Sequence, residues 1–180
     1  MNGEFTIIIS GNNLILFKKF QTPQLWLFLV NKGHMSTELL LRYVHFISIF
    51  IIVGSLVSEH LLLKPTLSRK EILRISKIDG IYGFAVLVLL AAGLTLWFGG
   101  HGKPTMFYSQ NPIFHIKLGL FAGIGFLSIY PTVFFMKNRK GNPSEKVPIP
   151  RSLFWMIRLE LLLLFIIPIL AGLMAKGIGL

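Results

Sequence analysis

Four long apolar runs dominate the chain, and the residues that break them are charged, proline or glycine. The first runs from about Leu39 to Leu63 and stops at Lys64-Pro65, where a charge and a residue without a backbone donor coincide. The second runs from about Ile78 to Phe98 and leaves through Gly99-Gly100. The third runs from about Ile113 to Met136, opened by Asn111-Pro112 with proline at an early helical position and closed by Lys137 and Arg139. The fourth runs from about Leu153 to Met174 and carries Pro168, which removes one helical hydrogen bond and frees the carbonyl of Leu164. Each run exceeds the ~18 residues at which a bilayer span explains it better than a core helix. The expected fold is all-α, an integral membrane four-helix bundle.

The first 34 residues do not fit this plan. Their apolar patches, Phe5 to Phe17 and Gln24 to Val30, are separated by Lys18, Lys19 and Pro23, and neither is long enough to span. They lack the basic leader and small-residue cleavage site of a secretory signal. Ser36, Thr37 and Glu38 directly after Met35 make a plausible helix start. The expected organisation is therefore an extension over 1–34, either translated or lying upstream of a start at Met35, and a four-span domain over 35–180.

Composition sharpens the picture. The 180 residues are 53% apolar and 14% charged, far from the roughly one-quarter charged usage of soluble domains. No cysteine is present, which removes disulfides, thiolate zinc sites, iron–sulfur clusters and covalently attached haem from consideration. The net charge of +11 does not point to nucleic acid, because the cations sit in short loops beside apolar runs rather than on one polar surface. Lys64, Arg69, Lys70, Arg74 and Lys77 lie between the first two runs, and Lys137, Arg139, Lys140, Lys146 and Arg151 between the last two, whereas the middle loop holds only Lys103. The positive-inside rule then sets both basic loops in the cytoplasm, with Met35, the His101 loop and the C-terminus outside, an N-out/C-out topology. Lys18, Lys19 and Lys32 oppose that orientation, a second reason to set residues 1–34 apart.

An ionisable residue inside a span is costly and points to a functional interior. In the first run His45, Ser48, Ser55 and Glu59 fall on one arc at ~100° per residue and form a polar stripe facing the bundle. His45 is suited to ligate haem iron, bond a quinone oxygen or pass protons, and equally to a structural interhelical bond. Glu59 reads as an interfacial partner of Lys64 or Arg74, or as a proton-relay acid. His115 and Lys117 open the third run at the depth of His45, so two histidines are expected to be able to flank haem b, with Arg42 or Lys117 neutralising its propionates. The plainer alternative is a snorkelling Lys117 and an interfacial His115. Gly119 and Gly123 form a GxxxG pattern suited to close helix packing, within the chain or between copies. Asp79 and Tyr82 stand at the start of the second run, with Arg74 or Lys77 as partners for the carboxylate. A faint repeat pairs Arg74, Asp79 and Ala92-Gly93-Leu94 with Arg158, Glu160 and Ala171-Gly172-Leu173, the pattern either of two like hairpins or of chance agreement among apolar segments.

From Leu39 to Gly177 the chain resembles a family of bacterial four-helix membrane proteins of unknown function, through LLRYVHF, FYSQNPIFHIKLGLF, IYPT and the terminal GLMAKG. More distantly it is similar to HemJ-type protoporphyrinogen oxidases and CopD-like copper-resistance membrane proteins, which share an early histidine and an HxK-like start to the third span. That similarity implies a haem-associated His45, with Lys117 and Arg74 as essential cations. The context after the histidine, SIFIIVGS, departs from the tryptophan and glycine usual there. The leading expectation is thus a redox-associated protein of the bacterial inner membrane binding haem b, or a quinone, in the outer half of the bundle. His45 would ligate the iron, His115 would be a second ligand and Lys117 an anion partner. The alternatives are a non-enzymatic assembly subunit, acting through a homo-oligomer or membrane partner, and a small proton-coupled transporter dependent on Glu59.

Overall fold

The computed structural model describes residues 5–10, 13–18, 22–100 and 104–178, with side chains from residue 37 onward except at 107. It divides into two compact units, Met1–Thr37 and Glu38–Leu180. The first contains an antiparallel hairpin of β1 (Phe5–Ser10) and β2 (Asn13–Lys18), paired from Phe5 with Lys18 to Ser10 with Asn13. Helix α1 is Thr22–Leu62. His101 and Lys103 lie outside the described residues.

In the second unit α1 is followed by α2 (Arg69–Phe98), the short α3 (Thr105–Ser109), α4 (Pro112–Asn138) and α5 (Arg151–Ala175). The stretch from Thr37 to Leu62 and helices α2, α4 and α5 are each long and apolar enough to cross a bilayer. Only 17% to 22% of each span is buried within the chain, so most of its apolar surface requires lipid or another apolar partner. Phe126 and Phe165 are 75% and 74% exposed, whereas Ser48, Ser55, Glu59, Asp79 and Glu160 are buried. Polar groups inside and aromatics outside is the arrangement a hydrocarbon solvent imposes. The fold is an all-α membrane bundle.

Helix α2 begins at Arg69, well before the apolar run that starts near Ile78. A capping box sets that start: Ser68 Oγ accepts from the Glu71 N–H at 3.3 Å, and Glu71 Oε2 accepts from the Ser68 N–H at 2.8 Å. Arg69, Lys70, Arg74 and Lys77 therefore occupy the first turns of a helix, not a loop. Asn111 opens α4 as its sequence suggests, with Oδ1 accepting from the Ile113 N–H at 2.9 Å and Pro112 in the first turn. Helices α4 and α5 continue through Pro131 and Pro168.

The α1–α2 and α4–α5 connections are joined at one end of the bundle. Strand β3 (Thr66–Ser68) pairs antiparallel with β4 (Lys146–Pro148). Arg69 binds both carboxylate oxygens of Glu145, at 2.7 and 2.8 Å, and donates to the carbonyls of Asn138 and Lys140 at 3.0 and 2.6 Å. Gly141, at φ +121°, makes room for this, since a Cβ there would lie 2.8 Å from Arg69 Nε. Beneath the clamp Leu67, Ile72, Ile75, Phe135, Leu153 and Ile157 form a closed apolar core. A second core joins Ile52 and Leu56 of α1 to Tyr82, Ala85 and Leu89 of α2, Ile124 of α4 and Leu164 of α5. The polar residues of the interior lie around and between these two cores.

Candidate functional site

The acid residues come from three helices. Glu59 of α1 and Glu160 of α5 are each 1% exposed, and Asp79 of α2 is 5% exposed. Helical repetition brings them inward: Ser48, Ile52, Ser55, Leu56 and Glu59 form the buried face of α1, and Ser76, Asp79, Tyr82 and Ala85 that of α2. The three carboxyls lie within electrostatic range of one another. Tyr82 donates its hydroxyl to Glu160 Oε2 at 3.4 Å, and Thr132 donates to Asp79 Oδ1 at 2.8 Å. Glu59 Oε1 and Glu160 Oε1 are buried without a hydrogen-bond partner. No ion pair reaches any of the three acids among the described residues, where Lys64 pairs with Glu71 at 3.6 Å, Arg69 with Glu145 and Arg42 with Glu38.

Glu59 is therefore not the interfacial partner of Lys64 or Arg74 that its position suggests. Lys64 faces Glu71, and Arg74 is exposed. Asp79 likewise takes a threonine hydroxyl rather than Arg74 or Lys77. Among the described residues no three His, Cys, Asp or Glu side chains converge on a point suited to a metal ion.

A cleft of about 270 Å³ opens beside the acids between α2 and α4. Asp79, Tyr82, Ser128 and Thr132 are among its polar lining, and Ser76 and Arg139 lie toward its clamp end. Tyr82 thus touches both the cleft and Glu160.

Toward the other end of α1, Ser48 donates to the carbonyl of Val44 at 2.8 Å, and His45 turns toward α2. A Cβ added at Gly93 would lie 3.6 and 3.7 Å from two atoms of the imidazole, and His45 Nδ1 is buried without a partner. Lys117, half-buried with Nζ 5.5 Å from the centre of the Phe114 ring, lies within electrostatic range of His45. His115 is exposed, and its Nε2 sits 2.8 Å from the Ser109 carbonyl. Residues two apart on a helix point about 200° apart, so a helix that turns Lys117 toward His45 turns His115 away. Arg42 is exposed and paired with Glu38 at 2.6 Å. Of the residues expected to surround a cofactor, the bundle thus brings together His45 and Lys117 and leaves His115 and Arg42 on other faces. Added Cβ atoms at Gly119 and Gly123 would meet nothing within 4 Å, so among the described residues no helix packs closely on the GxxxG face.

Residues 37–179 match the family model described as Predicted membrane protein (DUF2214). The chain belongs to this family. Neither the curated proteins nor the solved structures give a match. The family description agrees with the four spans and leaves the activity open, so the chemistry must be argued from the DUF2214 domain's own residues. Chief among these is Glu160, which the sequence reading used only as a landmark of the repeat. An acid alone in an apolar run is the signal that would have found it.

Proposed function

We propose that this domain is a proton-handling membrane protein, of the proton-coupled transporter class, with Glu59 and Glu160 as its exchangeable acids. One observation carries the proposal: two carboxyls far apart in sequence are buried within electrostatic range of each other, each with an unpartnered oxygen and no cation paired to it among the described residues. An ionised carboxylate buried without a counter-charge costs several kcal/mol, so the pair rests protonated at neutral pH and ionises only when its proton is passed on. Tyr82 links the pair to the α2/α4 cleft, where Asp79 stands at the aqueous side. On the other side Ser55 and Ser48 continue the stripe toward His45, ~21 Å from Glu59 along the helix. Water is needed to bridge that half, since Ile52 interrupts the hydroxyls.

The positive-inside rule assigns the clamped end, with its two basic connections, to the cytoplasm of a bacterial inner membrane, giving the N-out/C-out topology. Proton uptake through the cleft is then cytoplasmic. Proteoliposomes with a trapped pH dye and an imposed potassium-diffusion potential test the proposal. Wild-type protein is expected to carry protons, Glu59→Gln and Glu160→Gln to abolish the flux, and His45→Ala to slow it. Equal flux in wild type and the double glutamine variant would refute it.

Haem b at His45 is the second reading, favoured by the unpartnered Nδ1 beside Gly93. The residues present do not fit a paired ligand set, because His115 is turned away and already engaged with Ser109. A Soret band in the purified protein that is lost in His45→Ala would support it, and no band after haem supplementation would remove it.

A further inference from the structure

The α2/α4 cleft has a feature that proton transfer does not use. Asp79 and Arg139 line the same cleft, yet no ion pair joins them among the described residues. Asp79 Oδ1 accepts from Thr132 at 2.8 Å, and Arg139 Nη1 donates to Ser76 Oγ at a long 3.3 Å. A guanidinium has five N–H donors, and that serine is the only side-chain partner it has among the described residues. A carboxyl and a guanidinium left unpaired in one membrane-flank cleft favour a ligand that carries both signs in the reverse order, whose cation would give Asp79 the counter-charge it needs to ionise.

The position of the cleft narrows the ligand further. Arg139 caps the C-terminal end of α4, at the level of the clamped connections. From Ser76 to Val86 the α2 wall extends ~15 Å toward the bilayer centre. Phe84, about two turns deeper than Ser76 on α2, is 70% exposed, so the deeper part opens onto the apolar flank, and Met136, about one turn in from Arg139, is 50% exposed on the facing helix. Gly83 leaves that wall bare, since a Cβ there would meet nothing within 4 Å. A volume of about 270 Å³ is at the lower edge of the ~300 Å³ from which small-molecule sites begin, enough for a headgroup and not for a whole amphiphile.

We propose that this cleft holds the head of a phospholipid bearing a primary ammonium beside its phosphate, with the phosphate on Arg139, the ammonium on Asp79 and the chains leaving past Phe84 and Met136. Arginine matches a phosphate through paired N–H donors, and a primary ammonium offers Asp79 hydrogen bonds that a trimethylated one does not. Ser76, Ser128 and Thr132 supply the remaining polar contacts, and Tyr82 closes the floor. The site shares the cleft and Asp79 with the proposed proton route, but it needs no exchange at Glu59 or Glu160, so the two proposals can fail separately.

Native mass spectrometry of the full chain, released from nanodiscs of defined mixtures with matched acyl chains, tests this. Phosphatidylethanolamine is expected to be retained over phosphatidylcholine and phosphatidylglycerol by about tenfold, the effect of one charged hydrogen bond. Asp79→Asn should erase the preference over phosphatidylcholine, and Arg139→Gln should lower retention of all three. Should Asp79→Asn not fold, Gly83→Leu fills the bare wall and must expel the lipid. Glu160→Gln should lose proton flux and keep the lipid preference, which separates the two proposals. Equal retention of the three lipids by wild type, or an unchanged preference in Gly83→Leu, would overturn the site. Displacement by excess soluble phosphoethanolamine would also overturn it, assigning the cleft to a solute.

Discussion

Replacing Glu160 by glutamine keeps the shape of a protonated carboxyl and removes its ability to ionise. In the folded protein the side chain is 1% exposed, its Oε2 accepts a 3.4 Å bond from Tyr82, and Oε1 has no partner. If the acid rests neutral, the amide keeps the Tyr82 contact, and at most one ordinary hydrogen bond, about 1 kcal/mol, is at stake. For a chain of this size that is a shift of about 2–4 °C in the unfolding midpoint. If the acid rests ionised, the substitution removes an uncompensated buried charge and should stabilise by several kcal/mol, about 10 °C. Glu160→Ala supplies the scale: it removes the acceptor of the Tyr82 hydroxyl and opens a void, costing about 2–4 kcal/mol. Thermal unfolding of the three proteins in one mild detergent at neutral pH is the assay. The expected order is glutamine close to wild type and alanine well below both. A glutamine variant raised by about 10 °C, or one that falls as far as alanine, would refute the neutral acid.

The clamp offers further tests. Gly141→Ala is expected to destabilise by about 1–3 kcal/mol from its φ of +121° alone, and to push Arg69 off Glu145, read as faster tryptic cleavage at Lys140. The Arg69 guanidinium holds the Glu145 carboxyl below the usual carboxylate range. Its contribution is therefore complete above the unfolded value of ~4.3 and is lost as pH falls through the lower folded value. Protection factors of the α4–α5 connection, taken relative to intrinsic exchange at each pH, should fall on acidification within that window in wild type, and be already low and flat with pH in Arg69→Gln. Leu67→Ala, removing a 1% exposed side chain from the core under the clamp, is expected to cost about 2–5 kcal/mol in the same thermal assay.

The inward stripe of α1 was legible from periodicity, because Ser48, Ser55 and Glu59 recur on the one arc that lipid cannot solvate. The start of α2 was not, because hydropathy marks where a helix enters hydrocarbon and not where it begins. Ser68 and Glu71 carried that information as a capping box. His45 and His115 fall on different faces for a geometric reason: equal depth fixes height along a helix and leaves its rotation free. Once Lys117 faces inward, His115 cannot. Glu160 was obscured by Arg158, two residues away in sequence and on the opposite face, exposed with its guanidinium 5.8 Å from the Trp155 ring. Partner choice among the acids was illegible for a related reason. Lys64 has Glu59 and Glu71 at similar separations in sequence, and only the turn at Pro65 decides for Glu71.

A neutral acid pair has a direct spectroscopic signature. Infrared spectra of the protein in lipid at neutral pH should contain the C=O stretch of a protonated carboxylic acid. That band should shift in heavy water, weaken in Glu59→Gln and in Glu160→Gln, and weaken further when both are replaced. A wild-type spectrum with carboxylate bands alone, or a protonated band untouched by either substitution, would contradict it.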